Sequence, residues 1–320
     1  MKHWTLPSTP PHDWTLCLDV EGYFDHEHDP ERLAEEGFAR PVPVGERDVM
    51  LTVRFNDDPE APEFHVQAEE ELSDAEVEAA NRSLARILGT DLDLRPLYER
   101  AGDDPLLGPI LRDLYGLKRM SRASLFEDFL IRIVEMRLSH KPTARKMMFK
   151  IREAYGSTVV GKGGRTVPAW PRPHQLMSAD PVRIRSLGPT LRKGEYMAGF
   201  AADIAGGVID LAWLDREADP AAFLETMQGV RGVGPSSSQD LMLYRPRTDA
   251  VFPSTMQKGR ETGLRKWIIL SYGGDPDRTS EEAFQSMIAA WRGQEAAAIE
   301  FLYVNWLMNE KKRRHARKNA

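Results

Sequence analysis

The segment Phe223–Tyr244 carries the clearest chemistry in the chain, at Gly232-Val233-Gly234-Pro235-Ser236-Ser237-Ser238. Two glycines one residue apart permit a tight turn and close approach of another backbone. Pro235 suits the first position of a helix, where its missing amide would be orphaned anyway. The amides from Gly234 to Ser237 then point out of the helix start and form an anion site. With apolar helical spacing on both sides, the segment reads as a helix-hairpin-helix, which holds a DNA phosphate without reading sequence. Two acids follow, Asp240 and Glu261. Each also has a plain reading, Asp240 as a solvated helix acid and Glu261 as a first-turn acid favoured by the helix dipole. Two other clusters point less far. Asp25-His26-Glu27-His28-Asp29 packs metal-capable side chains together, but adjacent residues project in different directions, so the run reads as a solvated acidic loop. Gly161-Lys162-Gly163-Gly164-Arg165 lacks the Lys-Ser/Thr of a phosphate loop at the needed spacing and reads as a flexible basic loop.

These residues need elements to position them. Leu16, Leu18 and Val20 alternate with polar positions and predict a strand, as do Val49–Phe55 and Phe64–Ala68. Asp57-Asp58-Pro59-Glu60-Ala61-Pro62 is a turn by composition and makes the last two a hairpin. Ser73 with Glu76 forms a capping box ahead of a helix carrying Val77, Ala80, Leu84, Ile87 and Leu88. From about residue 91 the pattern turns helical. Leu125, Phe129, Leu130, Ile133, Val134 and Leu138 mark a buried helix face, and later helices are expected around Ala179–Leu187, Arg192–Ile204, Pro220–Met227, Ser236–Tyr244, Glu261–Tyr272 and Glu281–Met308. The expected fold is α+β: a small antiparallel-sheet domain over residues 1–90, then a mainly helical region over 91–320. The run Lys311–Lys318 reads as a basic helix end, either solvated or in contact with phosphate.

Composition bounds the function. The 320 residues are 41% hydrophobic and 29% charged, the balance of a globular chain rather than a disordered one. No run is long and apolar enough to span a bilayer, and the N-terminus lacks the apolar core of a signal peptide, so a cytoplasmic protein is expected. Cys17 alone excludes an internal disulfide, a four-cysteine zinc site and a cysteine-ligated iron–sulfur cluster. The net charge of −6 hides an asymmetry: residues 1–110 hold 26 acidic against 9 basic side chains, and the remainder 23 against 34. A basic remainder of that size suits a polyanion.

From about 90 to 310 the chain resembles the helix-hairpin-helix DNA glycosylases, on the side of the 3-methyladenine DNA glycosylase II (AlkA-like) branch. The resemblance rests on an ordered set: Leu92–Tyr98 and Asp104–Leu107, Phe126-Glu127, Pro173–Leu176 with Ala179-Asp180 and Leu187-Gly188, the hairpin, Asp249–Pro253, Gly263–Lys266 and Tyr272-Gly273. It implies two mainly helical subdomains over 91–320 that flank a cleft, and base excision on double-stranded DNA. The damaged nucleotide leaves the stack, and a carboxylate beneath the sugar stabilises the positive charge that builds as the base departs.

The family places an Asp for that task shortly after its Phe-Pro element, at a helix start. Read forward from Phe252-Pro253, the position falls on Thr255 or Met256 and the acid is missing. Read backward from Gly263-Leu264-Arg265, it falls on Glu261, with about five extra residues before it. Asp240 is a third candidate acid. Ser236 stands where bifunctional relatives carry a nucleophilic lysine, so Schiff-base strand cleavage is not expected. Ser236 and Asp240 replace the branch's aromatics, and Asp240 would accept hydrogen bonds from a base edge instead. Met136 falls in the implied base pocket, and Arg137 stands where the family fills the gap left by the flipped base. The carbonyls of Gln228, Val230 and Val233 would hold a monovalent cation, and amides near Gly232, Gly234, Ser236 and Ser237 would bind phosphate. The expected function is a monofunctional DNA N-glycosylase, acting as a monomer without an iron–sulfur cluster. The alternative is a DNA-binding or damage-sensing protein of the same fold without excision chemistry.

Overall fold

The computed structural model describes residues 1–18, 37–138, 140–161 and 164–318, so the acidic cluster at 25–29 and the pair Lys162-Gly163 lie outside the described residues. Four strands, β1 (Lys2–Pro7), β2 (Phe38–Val44), β3 (Arg47–Phe55) and β4 (Glu63–Ala68), form an antiparallel sheet in the order β1-β4-β3-β2. The alternation in β3 sends Val49, Leu51 and Val53 into the core. Phe55 pairs with Phe64 across the hairpin, whose turn is closed by Asp58 accepting from the amides of Glu60 and Ala61. One short segment departs from expectation. Residues Trp14–Leu18 form a helix, α1, because Asp13 accepts from the Leu16 amide and Trp14 and Cys17 are buried at helical spacing; Asp19 and Val20 are outside the described residues. The true edge strands, β1 and β2, carry exposed or proline-rich positions that blur a period of two.

The helix α2 (Asp74–Leu88) covers the sheet beside β2. Its capping box forms as expected, and Gly89 ends it at φ 69°. Next come α3 (Arg95–Ala101), α4 (Leu107–Asp113), α5 (Leu125–Glu135) and α6 (Lys141–Tyr155). A small hairpin of β5 (Thr158–Val160) and β6 (Thr166–Pro168) is followed by α7 (Pro173–Leu176), α8 (Pro181–Ser186), α9 (Leu191–Ala205), α10 (Leu211–Arg216), α11 (Pro220–Gly229) and α12 (Pro235–Leu243). The chain then forms β7 (Met256–Gln257), β8 (Arg260–Glu261), α13 (Gly263–Ser271), α14 (Glu281–Met287), a 3-10 turn (Ala289–Trp291) and α15 (Glu295–Lys318). Side chains of Asp180, Thr190, Asp210 and Asp219 cap α8 to α11.

Two helical expectations are corrected. The element expected from Glu261 begins at Gly263, with Glu261 on β8. The expected span Glu281–Met308 is broken between Met287 and Glu295, where a 3-10 turn and then Gly293 at φ 74° replace the helix. Between β5 and β6 the Gly161 amide donates to the Arg165 carbonyl at 2.8 Å. The backbone of α15 is helical as far as Lys318.

The helices pack in two groups. One is α5 to α12, with α5 against α6, α9, α10 and α12; the other joins α3 and α4 to the 3-10 turn, α14 and α15. The chain therefore leaves the second group at residue 114 and returns to it late. One large hydrophobic core draws on residues from Leu6 to Val304, and a small second cluster of Met50, Val159 and Ala169 lies under the β5–β6 hairpin. Buried ion pairs lock the sheet side onto α5: Arg40 of β2 reaches Glu127 at 2.8 Å, and Arg86 of α2 reaches Asp128 at 2.8 Å and Asp215 of α10 at 2.7 Å. Removing one partner of such a pair costs about 3–5 kcal/mol, because the other charge is left buried. That rigidity fixes the helix whose far end carries Arg137.

Candidate nucleic-acid interface and cleft

The turn between α11 and α12 is closed by the Val233 amide donating to the Val230 carbonyl at 3.0 Å. Gly232, third of its four residues, has φ 94°, the value a type II turn demands there. A Cβ on Gly232 would lie 2.4 Å from the Tyr196 ring, so the close approach inferred from the sequence is to an aromatic side chain of α9. Gly234 is the N-cap of α12 and no side chain caps the helix. Gly234 and Ser236 are exposed, which leaves the first amides of α12 open to an external acceptor. Ser237 has a buried side chain, so its contribution is confined to the main chain. The Val230 carbonyl keeps a second lone pair beyond its turn bond.

The end of α5 is a second exposed feature. Arg137 is exposed and sits at φ 57°, a left-handed conformation that costs a non-glycine residue roughly 1–2 kcal/mol. Lys193 holds this tip from α9, its ammonium donating to the carbonyls of Val134 at 2.7 Å and Met136 at 2.8 Å. Partial burial lowers the Lys193 pKa. The sequence reading missed Lys193. Its signal is a lysine in the first turn of a helix, where the dipole disfavours a cation unless another acceptor compensates.

Between the two helix groups lies a cavity of about 80 Å³, lined by Arg119, Arg132, Glu135, Tyr244, Glu300 and Tyr303 among others. Arg119 pairs with Glu300 and stands over the Tyr244 ring, 4.9 Å from its centroid. Burial pushes the Tyr244 hydroxyl up to about 12. Asp240 of α12 pairs with Arg132 of α5 at 2.5 Å, and its side chain keeps 30% of its exposure. Burial raises the Asp240 pKa in spite of Arg132 and Arg119. Asp240 is thus one residue behind the wall, while Met136 is half-buried and does not line the cavity.

Glu261 is placed differently. Residues 256–260 ahead of it form the β7–β8 hairpin with it, and Glu261 lies two residues before the start of α13. It is 4% exposed. One carboxylate oxygen accepts from the amides of Thr255 at 2.7 Å and Thr262 at 3.2 Å; the other accepts from the Ser254 hydroxyl at 2.6 Å and has Arg265 at 3.6 Å. Its own amide donates to Asp277 at 3.1 Å. Arg265 is buried, pairs with Glu281 and stacks on Phe284. Gly263 opens α13 within 3.5 Å of the Gln239 side chain of α12, on the basis of where its Cβ would stand. Thr255 is half-buried and Met256 exposed. The structure therefore does not turn Glu261 to solvent, nor does its carboxylate line the cavity around Arg132.

The molecule's overall arrangement has known counterparts. A 3-methyladenine DNA-glycosylase from Archaeoglobus fulgidus superposes with a TM-score of 0.69 at 20% identity, over 94% of this chain and 96% of that one. MBOgg1, solved in complex with a low-affinity DNA ligand, gives 0.66 at 17% identity over 95% of each chain. In sequence, the DNA-3-methyladenine glycosylase of Bacillus subtilis (strain 168) is 26% identical over 165 residues, 51% of this chain. The chain matches about half the length of that relative, 53%. No family model matches the chain. The chain has the fold of these DNA glycosylases, and about half of it is similar in sequence to a DNA-3-methyladenine glycosylase.

Among the described residues of this glycosylase-fold chain, no helix is long and apolar enough to cross a membrane, and no group of three or more His, Cys, Asp or Glu could hold a metal. The fold brings the α11–α12 turn, Asp240 and the entry to α13 close together. Arg137 is brought to the end of α5, the helix that supplies Arg132 to the cleft. Arg119, Arg132, Glu300 and Tyr303 were not foreseen as cleft residues. Arg119 and Glu300 lie 181 residues apart in the chain, and only the folded arrangement makes them neighbours.

Proposed function

We propose that the protein is a monofunctional DNA N-glycosylase of base-excision repair. The observation that carries this is the dual use of α12. Its open amides at Gly234–Ser237 suit a phosphate, and Asp240 stands beside the cavity about 6 Å further along the axis. A strand held by the first feature therefore presents its neighbouring nucleotide to the second. The carbonyls of Gln228, Val230 and Val233 are neutral donors suited to a monovalent cation at the same turn, where it would bridge to phosphate. Arg137, held in its left-handed conformation by the Lys193 cap on the tip, fills the gap in the stack with a planar guanidinium.

The extruded base enters the cavity between Arg132 and Tyr303, with the Asp240 carboxyl behind Arg132 and acting through it. Glu261 supplies the negative charge for the sugar. Since both of its oxygens already accept hydrogen bonds, it acts through its fixed charge rather than by taking a proton. Ser236 cannot form a Schiff base, so the outcome is hydrolysis and an abasic site. The saturation of Glu261 favours a second reading, a DNA-binding protein of the same fold that does not excise. The two are separated by duplexes carrying hypoxanthine, alkylated purines, uracil or 8-oxoguanine. Abasic sites formed on any of them support the enzyme, and binding to all without excision supports the second reading.

A further inference from the structure

The β7–β8 hairpin is built as a short rigid stalk. Lys258 and Gly259 at its tip have φ of 52° and 75°, the pair of positive values that a type I′ turn requires. Its root is tied down from several sides. The Thr262 amide donates to the Thr255 carbonyl at 2.9 Å, the Thr262 hydroxyl to the same carbonyl at 2.6 Å, and Glu261 takes the bonds described above. Everything from Met256 to Gly259, and Arg260, is exposed, with Met256 at 57%. Neither Lys258 nor Arg260 has a carboxylate partner among the described residues. The stalk leaves from the entry to α13, which adjoins α12 through Gly263 and Gln239, one helical turn beyond the open amides.

We infer that this hairpin is a second contact to the DNA backbone, in which Lys258 and Arg260 each meet a phosphate beside the one held by the Gly232–Ser237 turn. Two unpaired cations on a preorganised stalk lose little conformational entropy on binding, and their charge complements a phosphate chain. The partner is duplex DNA, read without regard to sequence, and the inference rests on the DNA-binding part of the proposed function.

The test is duplex affinity across a potassium chloride series, for wild type, Lys258→Asn with Arg260→Gln, and a charge-matched control, Arg54→Gln with Arg82→Gln. Asn tolerates the left-handed tip, and thermal unfolding of each variant verifies the fold. Loss of two phosphate contacts should lower the slope of log affinity against log salt by roughly 1.8, at about 0.9 per contact, with the control unchanged. A slope unchanged in the hairpin variant, or lowered equally in the control, overturns the inference while duplex binding stands. A wild type that binds no duplex at all overturns the proposed function and the inference with it.

Discussion

Two neighbouring helices of this molecule begin in opposite ways. The start of α12 is left open, with a glycine N-cap, a proline behind it and no side chain over its amides. The entry to α13 is filled by the chain's own acid, Glu261, which is buried among the amides of Thr255 and Thr262, the Ser254 hydroxyl and Arg265. An open helix start is an address for an anion from outside, whereas a filled one fixes a charge in place. In the proposed function one end holds DNA while the other sets the electrostatic field beside it, and Gly263 and Gln239 bring the two together.

The sharpest way to break this contrast is at Glu261. Glu261→Gln removes a charge-assisted acceptor and leaves Arg265 with less compensation, so about 3 kcal/mol of stability should be lost, read as a shift in the urea midpoint with the slope unchanged. A loss below 0.5 kcal/mol, roughly the effect of a plain surface substitution, would mean the entry to α13 is not held by its acid. Next comes the open end. Gly232→Ala drives a Cβ into Tyr196 at a left-handed φ and should cost roughly 1–3 kcal/mol, with weaker duplex binding. Gly229→Ala meets nothing within 4 Å and should leave both unchanged.

The smallest expected effect is at Asp240. Its folded pKa is raised by burial, so the folded state binds this proton more tightly than the unfolded chain does. That stabilisation is complete below the ordinary aspartate pKa and is lost as the pH rises through the raised one. Asp240→Asn should therefore gain stability relative to wild type across that window and run parallel to it above. Parallel curves throughout would show that Arg132 offsets the burial.

How much of this was legible depended on whether the chemistry was local in sequence. The α11–α12 turn could be read because glycine and proline act on their own backbone, and the same holds for the Ser73–Glu76 box. Glu261 was one of two readings, reached by spacing back from Gly263, and its enclosure was not legible at all, since its partners include Ser254 and Asp277, brought together by a hairpin that the sequence left as an unexplained insertion. The cavity was illegible because α5, α15 and the segment at Arg119 each supply one wall. Trp14–Leu18 was misread because five residues are too few to tell a period of two from one of 3.6 once Asp13 caps the turn.

The central claim is that a fixed carboxylate beside a DNA-holding turn drives base excision. Single-turnover excision by wild type, Glu261→Gln and Asp240→Asn on the lesion panel, with duplex affinity measured on the same samples below their unfolding temperatures, tests it most directly. The account predicts excision by wild type, a loss of about 10²-fold or more in Glu261→Gln with affinity retained, and a smaller loss in Asp240→Asn. Excision by Glu261→Gln at the wild-type rate, or tight binding by wild type with no lesion excised, would contradict it.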